Sequence, residues 1–172
     1  MLDPRWALDE GYRVERFDRQ DSVGEEDILQ LWRRSGAVPE TEAKRRLPEV
    51  LLVATTDDGE LVGLSSIRVK RVEHLAMDLW NYRVFVAEEH RQSNVMVTLA
   101  VRGRDLLQER FVSGEDPRAG GILYEIENHS LLKHFPEAVW PAVEFVFIGV
   151  NRYGNHQRVW YFPGALAPDP PR

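Results

Sequence analysis

The sequence predicts a mixed α/β domain in which strands and helices alternate along the chain. One observation is a hairpin pattern, in which the apolar runs Val50–Thr56 and Leu61–Val69 flank the turn Asp57–Gly59. Asp-Gly favours a tight turn because glycine adopts positive φ without steric cost. The other observation is the segment Met96–Phe111, whose apolar residues recur at the spacing of one helix face. These residues are Met96, Leu99, Ala100, Gly103, Leu107 and Phe111.

Three elements are predicted before the hairpin. Tyr12–Phe17 alternates apolar and polar residues, which is typical of a half-buried strand. A helix over Glu25–Ser35 is expected next, because Ser22–Glu25 has the pattern of a capping box and Gly36 follows the last turn. A second, short helix is predicted over Pro39–Leu47.

The second half of the chain continues the alternation on both sides of the long helix. Leu79–Ala87 precedes that helix as a strand, and Gly121–Asn128 follows it as another. A short helix around Ser130–Phe135 comes next. Val143–Val150 and Gln157–Phe162 then form a second predicted hairpin. The expected total is seven strands and four helices.

The chain of 172 residues is long enough for one domain, expected over residues 12–162. Residues 1–11 are expected to be loose, and residues 163–172 form a proline-rich tail with little apolar content. No apolar run approaches the length of a membrane span, and the first residues lack a signal-peptide core, so we expect no membrane association and a cytoplasmic protein.

Charge and residue usage exclude several classes of site. Lys and Arg number 22 against 28 Asp and Glu, a formal charge of −6, which argues against nucleic-acid binding. The absence of cysteine excludes thiolate metal ligands, disulfides and a cysteine nucleophile. The five histidines show no metal-ligand spacing with carboxylates, so no metal site is expected.

The stretch EEHRQSNVMV, residues 88–97, lies between a predicted strand and the long helix. Its position and the order of the elements resemble the GNAT (Gcn5-related N-acetyltransferase) superfamily, over nearly the whole chain from Tyr12 to Phe162. That family typically ends its fourth strand with V-x-x-E-x-R-G-x-G-x-G-x-x-L. The matching residues here are Val86, Glu89, Arg91, Gln92, Asn94, Met96 and Leu99.

The resemblance implies a mostly antiparallel, GNAT-like sheet of seven strands and binding of acetyl-CoA as cosubstrate. Arg91 and the backbone amides of the loop would hold the pyrophosphate of the coenzyme, and Phe85 and Val86 would offer amides to its pantetheine arm. At the three positions where the family has glycine, this sequence has Gln92, Asn94 and Met96; of these, asparagine best tolerates the left-handed backbone conformation. The loop residues whose amides would bind the pyrophosphate are Gln92, Ser93, Asn94, Val95 and Met96.

The implied reaction is direct acyl transfer from acetyl-CoA to an amine, which needs a base. Glu125 and Glu127 are the candidates, because strand alternation places them on one face, where two carboxylates can raise each other's pKa. The alternative is that they form the solvated face of an amphipathic strand. No tyrosine occurs in the helix that follows, where the family often has its acid, so His129 and His134 are the nearby candidates.

Asn81 and Arg83 form a polar pair inside a predicted central strand. They would line a pocket for the acceptor, a small-molecule or peptide amine, or else hydrogen-bond to a neighbouring loop. The aromatic last hairpin could also pair with a second copy of the chain to give a homodimer. The alternative function is a GNAT-like binding or structural module without catalysis.

Overall fold

The computed structural model describes residues 4–169, which contain seven strands and four α-helices. The strands are β1 (Tyr12–Arg16), β2 (Val50–Thr56), β3 (Leu61–Val72), β4 (Met77–Val86), β5 (Gly121–Ile126), β6 (Val146–Val150) and β7 (His156–Tyr161). The helices are α1 (Glu25–Ser35), α2 (Glu40–Arg46), α3 (Val95–Val112) and α4 (His129–His134). The predicted α/β class and the number of elements are confirmed.

The strands form one sheet in the order β1-β2-β3-β4-β5-β7-β6. The pairs β1–β2, β2–β3, β5–β7 and β6–β7 are antiparallel, whereas β4 and β5 are parallel. The parallel register covers Trp80–Tyr82 against Ile122–Tyr124. Parallel neighbours need a crossover connection, and α3 supplies it between β4 and β5.

The chain divides into two compact units. One holds the residues up to Ile67 together with Val84–Gly103, and the other holds Arg68–Arg83 together with the residues from Arg104 onward. The core of the first unit forms where α1 and α2 cover the sheet, with Ile28 fully buried. It includes Val23, Ile28, Leu31, Trp32, Val38, Ala43, Leu47, Val53, Leu61, Leu64 and Ala87.

Helix α1 has the predicted bounds but a different cap. The sequence suggested Ser22 as the capping residue, yet its hydroxyl donates to Gln20 Oε1 at 2.9 Å. Gly24 precedes the first helical residue, and its amide donates to Asp27 Oδ2 at 2.7 Å. Three acidic residues in the first turn also favour this end of the helix dipole.

The second unit has a smaller apolar cluster. Val72, Leu79, Leu123 and Val159 are its buried members. The last three lie on one face of the neighbouring strands β4, β5 and β7. Leu123 is directly opposite Val159 and also opposite Asn81. Leu79 is two residues before Asn81 and therefore points to the same face.

Two predicted strands are shorter than expected for local reasons. Val143–Val150 was predicted as one strand, but Glu144 has φ +59 and its amide donates to Trp140 O at 2.7 Å, so a turn replaces the first residues. The strand predicted to reach Asn128 ends at Ile126, since the Asn128 side chain caps α4 by accepting from the Ser130 amide at 3.0 Å.

Within residues 4–169, every helix is too short or too polar to span a bilayer. Parts of the N-terminal segment and the C-terminal tail, residues 1–3 and 170–172, lie outside the described residues.

Gly121 lies where two strand backbones approach closely. A β-carbon at Gly121 would be 2.4 Å from Trp160 O, whereas one at Gly24 would meet only Asp27 Oδ2, at 3.6 Å. We therefore expect Gly121→Ala to lower the free energy of unfolding by about 1–3 kcal/mol, as overpacking does. Urea unfolding of both variants tests this, and a loss in Gly24→Ala as large as that in Gly121→Ala would contradict it.

Candidate functional site

The loop between β4 and α3 holds an asparagine in the left-handed conformation. After β4 a 3₁₀ turn spans Glu88–His90, and α3 begins at Val95. Asn94 has φ +55, and its carbonyl accepts the first helical hydrogen bond, from Thr98 N at 3.0 Å. The expectation that Asn94 can adopt this conformation is confirmed. The backbone geometry that glycine favours is therefore present without glycine.

The start of α3 also presents backbone donors. The amides of the first turn, including those of Val95 and Met96, have no acceptor within the helix, and the helix dipole adds partial positive charge there. Gln92 is exposed and Met96 is half-buried, while Ser93 is buried and donates its hydroxyl to His90 O. The arrangement suits an anion, although the Met96 side chain adds bulk where the family has glycine.

Arg91 is held at the entrance to the loop. Its Nε donates to Val86 O at 3.2 Å, which fixes the side chain against the end of β4. The residue is exposed, so its guanidinium is accessible to an anionic ligand. Phe85 is half-buried and Val86 is buried at the end of the same strand.

The N-terminal segment contacts this loop. The Asn94 carboxamide donates from Nδ2 to Arg5 O at 3.2 Å and to Ala7 O at 3.0 Å. The amide of Asp9 donates to Ser93 O at 3.4 Å. Within the described residues, the segment that the sequence predicted to be loose thus touches the loop predicted to bind the coenzyme.

In the second unit, Glu125 is the centre of a polar network. Lys70 Nζ donates to Oε2 at 2.6 Å, while Asn151 Nδ2 and Gln157 Nε2 each donate to Oε1 at 3.0 Å. The Glu125 side chain is 14% exposed. The three donors come from β3, from the turn after β6, and from β7, so the carboxylate ties three elements to β5.

The network sets the ionisation of Glu125. Burial favours the neutral form, but the hydrogen bonds from Lys70, Asn151 and Gln157 and the charge of Lys70 outweigh it, so the pKa of Glu125 is lowered. The expectation that paired carboxylates raise this pKa is wrong. Glu127 lies beyond the end of β5 and is exposed, so it is not held beside Glu125 by the strand.

The remaining candidates of the second unit are in different surroundings. His129 is exposed, with Nε2 at 3.2 Å from Asn155 Oδ1, and His134 is exposed at the end of α4. Asn81 is 5% exposed, and its Oδ1 has no hydrogen-bond partner among the described residues. Arg83 is half-buried on the same strand face.

Sequence reasoning missed Lys70, Asn151 and Gln157. Gln157 lies directly opposite Glu125 in the β5–β7 register, a pairing between distant segments that local sequence patterns do not reveal. Histidine, aspartate and glutamate side chains of residues 4–169 form no group of three or more suited to a metal ion.

Comparisons with known proteins rest on structure. No family model and no curated protein sequence matches the chain. A GNAT-family acetyltransferase from Streptococcus pneumoniae has a TM-score of 0.60 and 9% identity, covering 88% of this chain and 99% of the other. The GNAT-family N-acetyltransferase YhbS from Escherichia coli, solved with CoA, has a TM-score of 0.55 and 20% identity, covering 94% and 84%.

A third neighbour is yncA from Salmonella typhimurium, solved with its cofactor acetyl-CoA. It has a TM-score of 0.61 and 13% identity, covering 93% of this chain and 99% of the other. The chain has the GNAT fold. Residues 87–94 connect the fourth strand, β4, to the crossover helix, α3, as predicted from the sequence.

The predicted site residues fall into two groups, one in each unit. Phe85, Val86 and the loop residues Arg91–Met96 lie in the first unit, where the loop brings them together. Glu125, Glu127, His129, Asn81 and Arg83 lie in the second.

The conformation of Asn94 makes a direct prediction about stability. Asn94→Ala and Asn94→Gly both lose the carboxamide, but only alanine is strained at φ +55. The free energy of unfolding of Asn94→Ala should be about 1–2 kcal/mol below that of Asn94→Gly. Equal stability of the two variants in urea unfolding would show that residue 94 does not keep positive φ.

The ionisation of Glu125 predicts a pH dependence. In the folded protein the pKa of Glu125 lies below its ordinary value of 4.5. The ionised side chain therefore stabilises the folded state at neutral pH, and this stabilisation is lost as the pH falls through the folded pKa. Glu125→Gln should therefore be less stable than the wild type at pH 7, with a gap that narrows below pH 4.5.

The control for this experiment is Glu127→Gln, which neutralises an exposed carboxylate two residues away. Urea midpoints of the three proteins across this pH range provide the measurement. A gap between wild type and Glu125→Gln that stays constant or widens in acid would contradict the ionised network.

Proposed function

We propose that the protein is an acyl-CoA-dependent N-acyltransferase that transfers an acetyl group from acetyl-CoA directly to an amine. The observation that carries the proposal is the conformation of Asn94, which supplies left-handed backbone at the start of α3 where the resemblance expects glycine. The structural neighbours from Escherichia coli and Salmonella typhimurium, solved with CoA and acetyl-CoA, support the same ligand class.

Arg91 and the amides of the 92–96 loop are the proposed ligands of the pyrophosphate, and the end of β4 at Phe85 and Val86 is the proposed contact for the pantetheine arm. These groups fit a polyanion, because one exposed guanidinium lies beside several backbone donors at the positive end of a helix. The coenzyme supplies an activated thioester. The amine nitrogen would form the new C–N bond while the C–S bond breaks and the CoA thiolate leaves; the nitrogen would lose a proton to a base, and the thiolate would gain one from an acid.

Proton removal is proposed for Glu127, and protonation of the departing thiolate for His129; both residues are exposed. Glu125 suits proton removal less well, because its lowered pKa makes it a weak base. Its network instead holds β5 in place next to these residues. Asn81 and Arg83 stay proposed contacts for the acceptor amine.

A non-catalytic GNAT-fold binding module is the second candidate. The observation that favours it is that the Glu125 carboxylate accepts from three donors, which makes one of the two predicted bases less suited to proton removal. Release of free thiol from acetyl-CoA in the presence of a panel of amines separates the two functions. A binding module would bind CoA without any amine-dependent release.

A homodimer remains part of the proposal. The last strand in the sheet order, β6, carries exposed Val146, Phe147 and Val150. Val139 already bridges Val146, and the Phe147 amide donates to Ala138 O at 2.7 Å, so the proposed pairing would use the end of the strand near Val150. Such an edge can pair with a second copy. Sedimentation of the protein at micromolar concentration would give the oligomeric state.

Coenzyme binding by the loop is tested with thermal melting. A ligand at 100 times its Kd stabilises the native state by about 2.7 kcal/mol, which corresponds to a rise in Tm of roughly 5–10 °C for a chain of this size. We expect CoA to raise the Tm of the wild type by this amount, and Arg91→Ala to lose most of the shift because a phosphate-binding cation is removed.

The matched control is Arg13→Ala, which removes an exposed arginine of the same unit that pairs with Asp57 at 3.3 Å. It should keep the full shift. No shift in the wild type at millimolar CoA would refute the proposed function, and equal shifts in all three proteins would exclude Arg91 from the site.

A further inference from the structure

The N-terminal segment contacts the loop where the coenzyme's phosphates are proposed to bind. Its carbonyls at Arg5 and Ala7 accept both hydrogen bonds from the Asn94 carboxamide, and the Asp9 amide bonds to Ser93 O. Oxygen atoms with partial negative charge therefore lie beside the residue that immediately precedes the positive end of α3. A phosphate group held by the loop amides would bring the same kind of acceptor close to the Asn94 carboxamide.

We propose that residues 5–9, here called the N-terminal strap, are a displaceable cover that must leave Asn94 before the coenzyme's phosphates can bind at the start of α3. The inference rests on the proposed function and adds a regulatory step to that same site. Asn94 then has two roles, since its backbone provides the left-handed conformation while its side chain holds the strap.

The strap has no fully buried side chain. Arg5, Ala7 and Asp9 are exposed, while Trp6 and Leu8 are half-buried, so none of its five side chains is fully buried. Segments that bury little apolar surface open at low cost in free energy. Below the strap, the Tyr12 hydroxyl contacts His90 Nδ1 at 2.8 Å, so the start of β1 stays joined to the loop when the strap opens.

Electrostatic repulsion also disfavours simultaneous binding of the strap and the coenzyme at the loop. The backbone amide of Asp9 donates to Ser93 O at 3.4 Å, so a residue that carries a negative charge contacts the loop just before α3. A negative charge on this segment would repel phosphates that approach the loop. The closed strap and the bound coenzyme should therefore exclude each other, and the apparent Kd should exceed the intrinsic Kd by the inverse of the open fraction.

The experiment uses the full-length protein labelled with 5-fluorotryptophan, in which Trp6 reports on the strap. Titration with CoA is followed by fluorine NMR and, in parallel, by calorimetry. We expect the Trp6 resonance to move to a solvent-exposed position as CoA binds. Trp32 is 1% exposed in the core of the first unit and should not change, so it is the internal control.

The variant Asn94→Gly removes the side chain that holds the strap and keeps a residue suited to φ +55. It should show the exposed Trp6 resonance without CoA and bind CoA about tenfold more tightly, which corresponds to a strap that is closed in about nine tenths of wild-type molecules; unchanged affinity would overturn the proposal. Weaker binding by this variant, with Trp6 already released, would overturn the proposal because the strap would then be part of the binding site.

Two further outcomes separate this inference from the proposed function. Heat of binding without any shift of the Trp6 resonance would overturn the proposal that the strap must open, while the proposed coenzyme site would still stand. No heat of binding in either the wild type or Asn94→Gly would overturn the proposed function, and the strap with it, because no ligand would exist for the strap to control.

Discussion

The parallel pairing of β4 and β5 is the constraint on which the candidate site depends. Adjacent parallel strands cannot be joined by a hairpin, so the chain must leave the end of β4, cross over through α3 and return to the start of β5. The crossover puts the first turn of an 18-residue helix directly after a short loop from the strand. Backbone donors and the helix dipole then meet at one place, whatever side chains the loop carries.

Asn94 shows how this loop keeps its backbone shape without glycine. Glycine would provide φ +55 freely, whereas asparagine provides it at modest cost and adds a carboxamide. The carboxamide donates to Arg5 O and Ala7 O, so the substitution couples the loop to the N-terminal segment. Asparagine in place of the glycine of the GNAT pattern therefore lowers the sequence similarity but adds a side-chain hydrogen bond that glycine cannot make.

Local patterns predicted the fold well, and long-range contacts explain what they missed. The bounds of α1 and β2 and the tolerance of Asn94 for positive φ follow from neighbouring residues, and all are confirmed. The donors to Glu125 could not be predicted in this way, since Lys70 is 55 residues away and Gln157 is 32 residues away. The strap was missed because backbone carbonyls leave no signature in a sequence.

Glu125 illustrates why a residue type in the right strand does not by itself define a catalytic role. A base that works near neutral pH needs a raised pKa, which burial alone would give a carboxylate. Here burial acts in that direction, but three donors reverse it and lower the pKa. The same hydrogen bonds that join β3, β7 and the last turn to β5 keep the carboxylate ionised. The lowered pKa and the three donors therefore favour a structural use of this side chain.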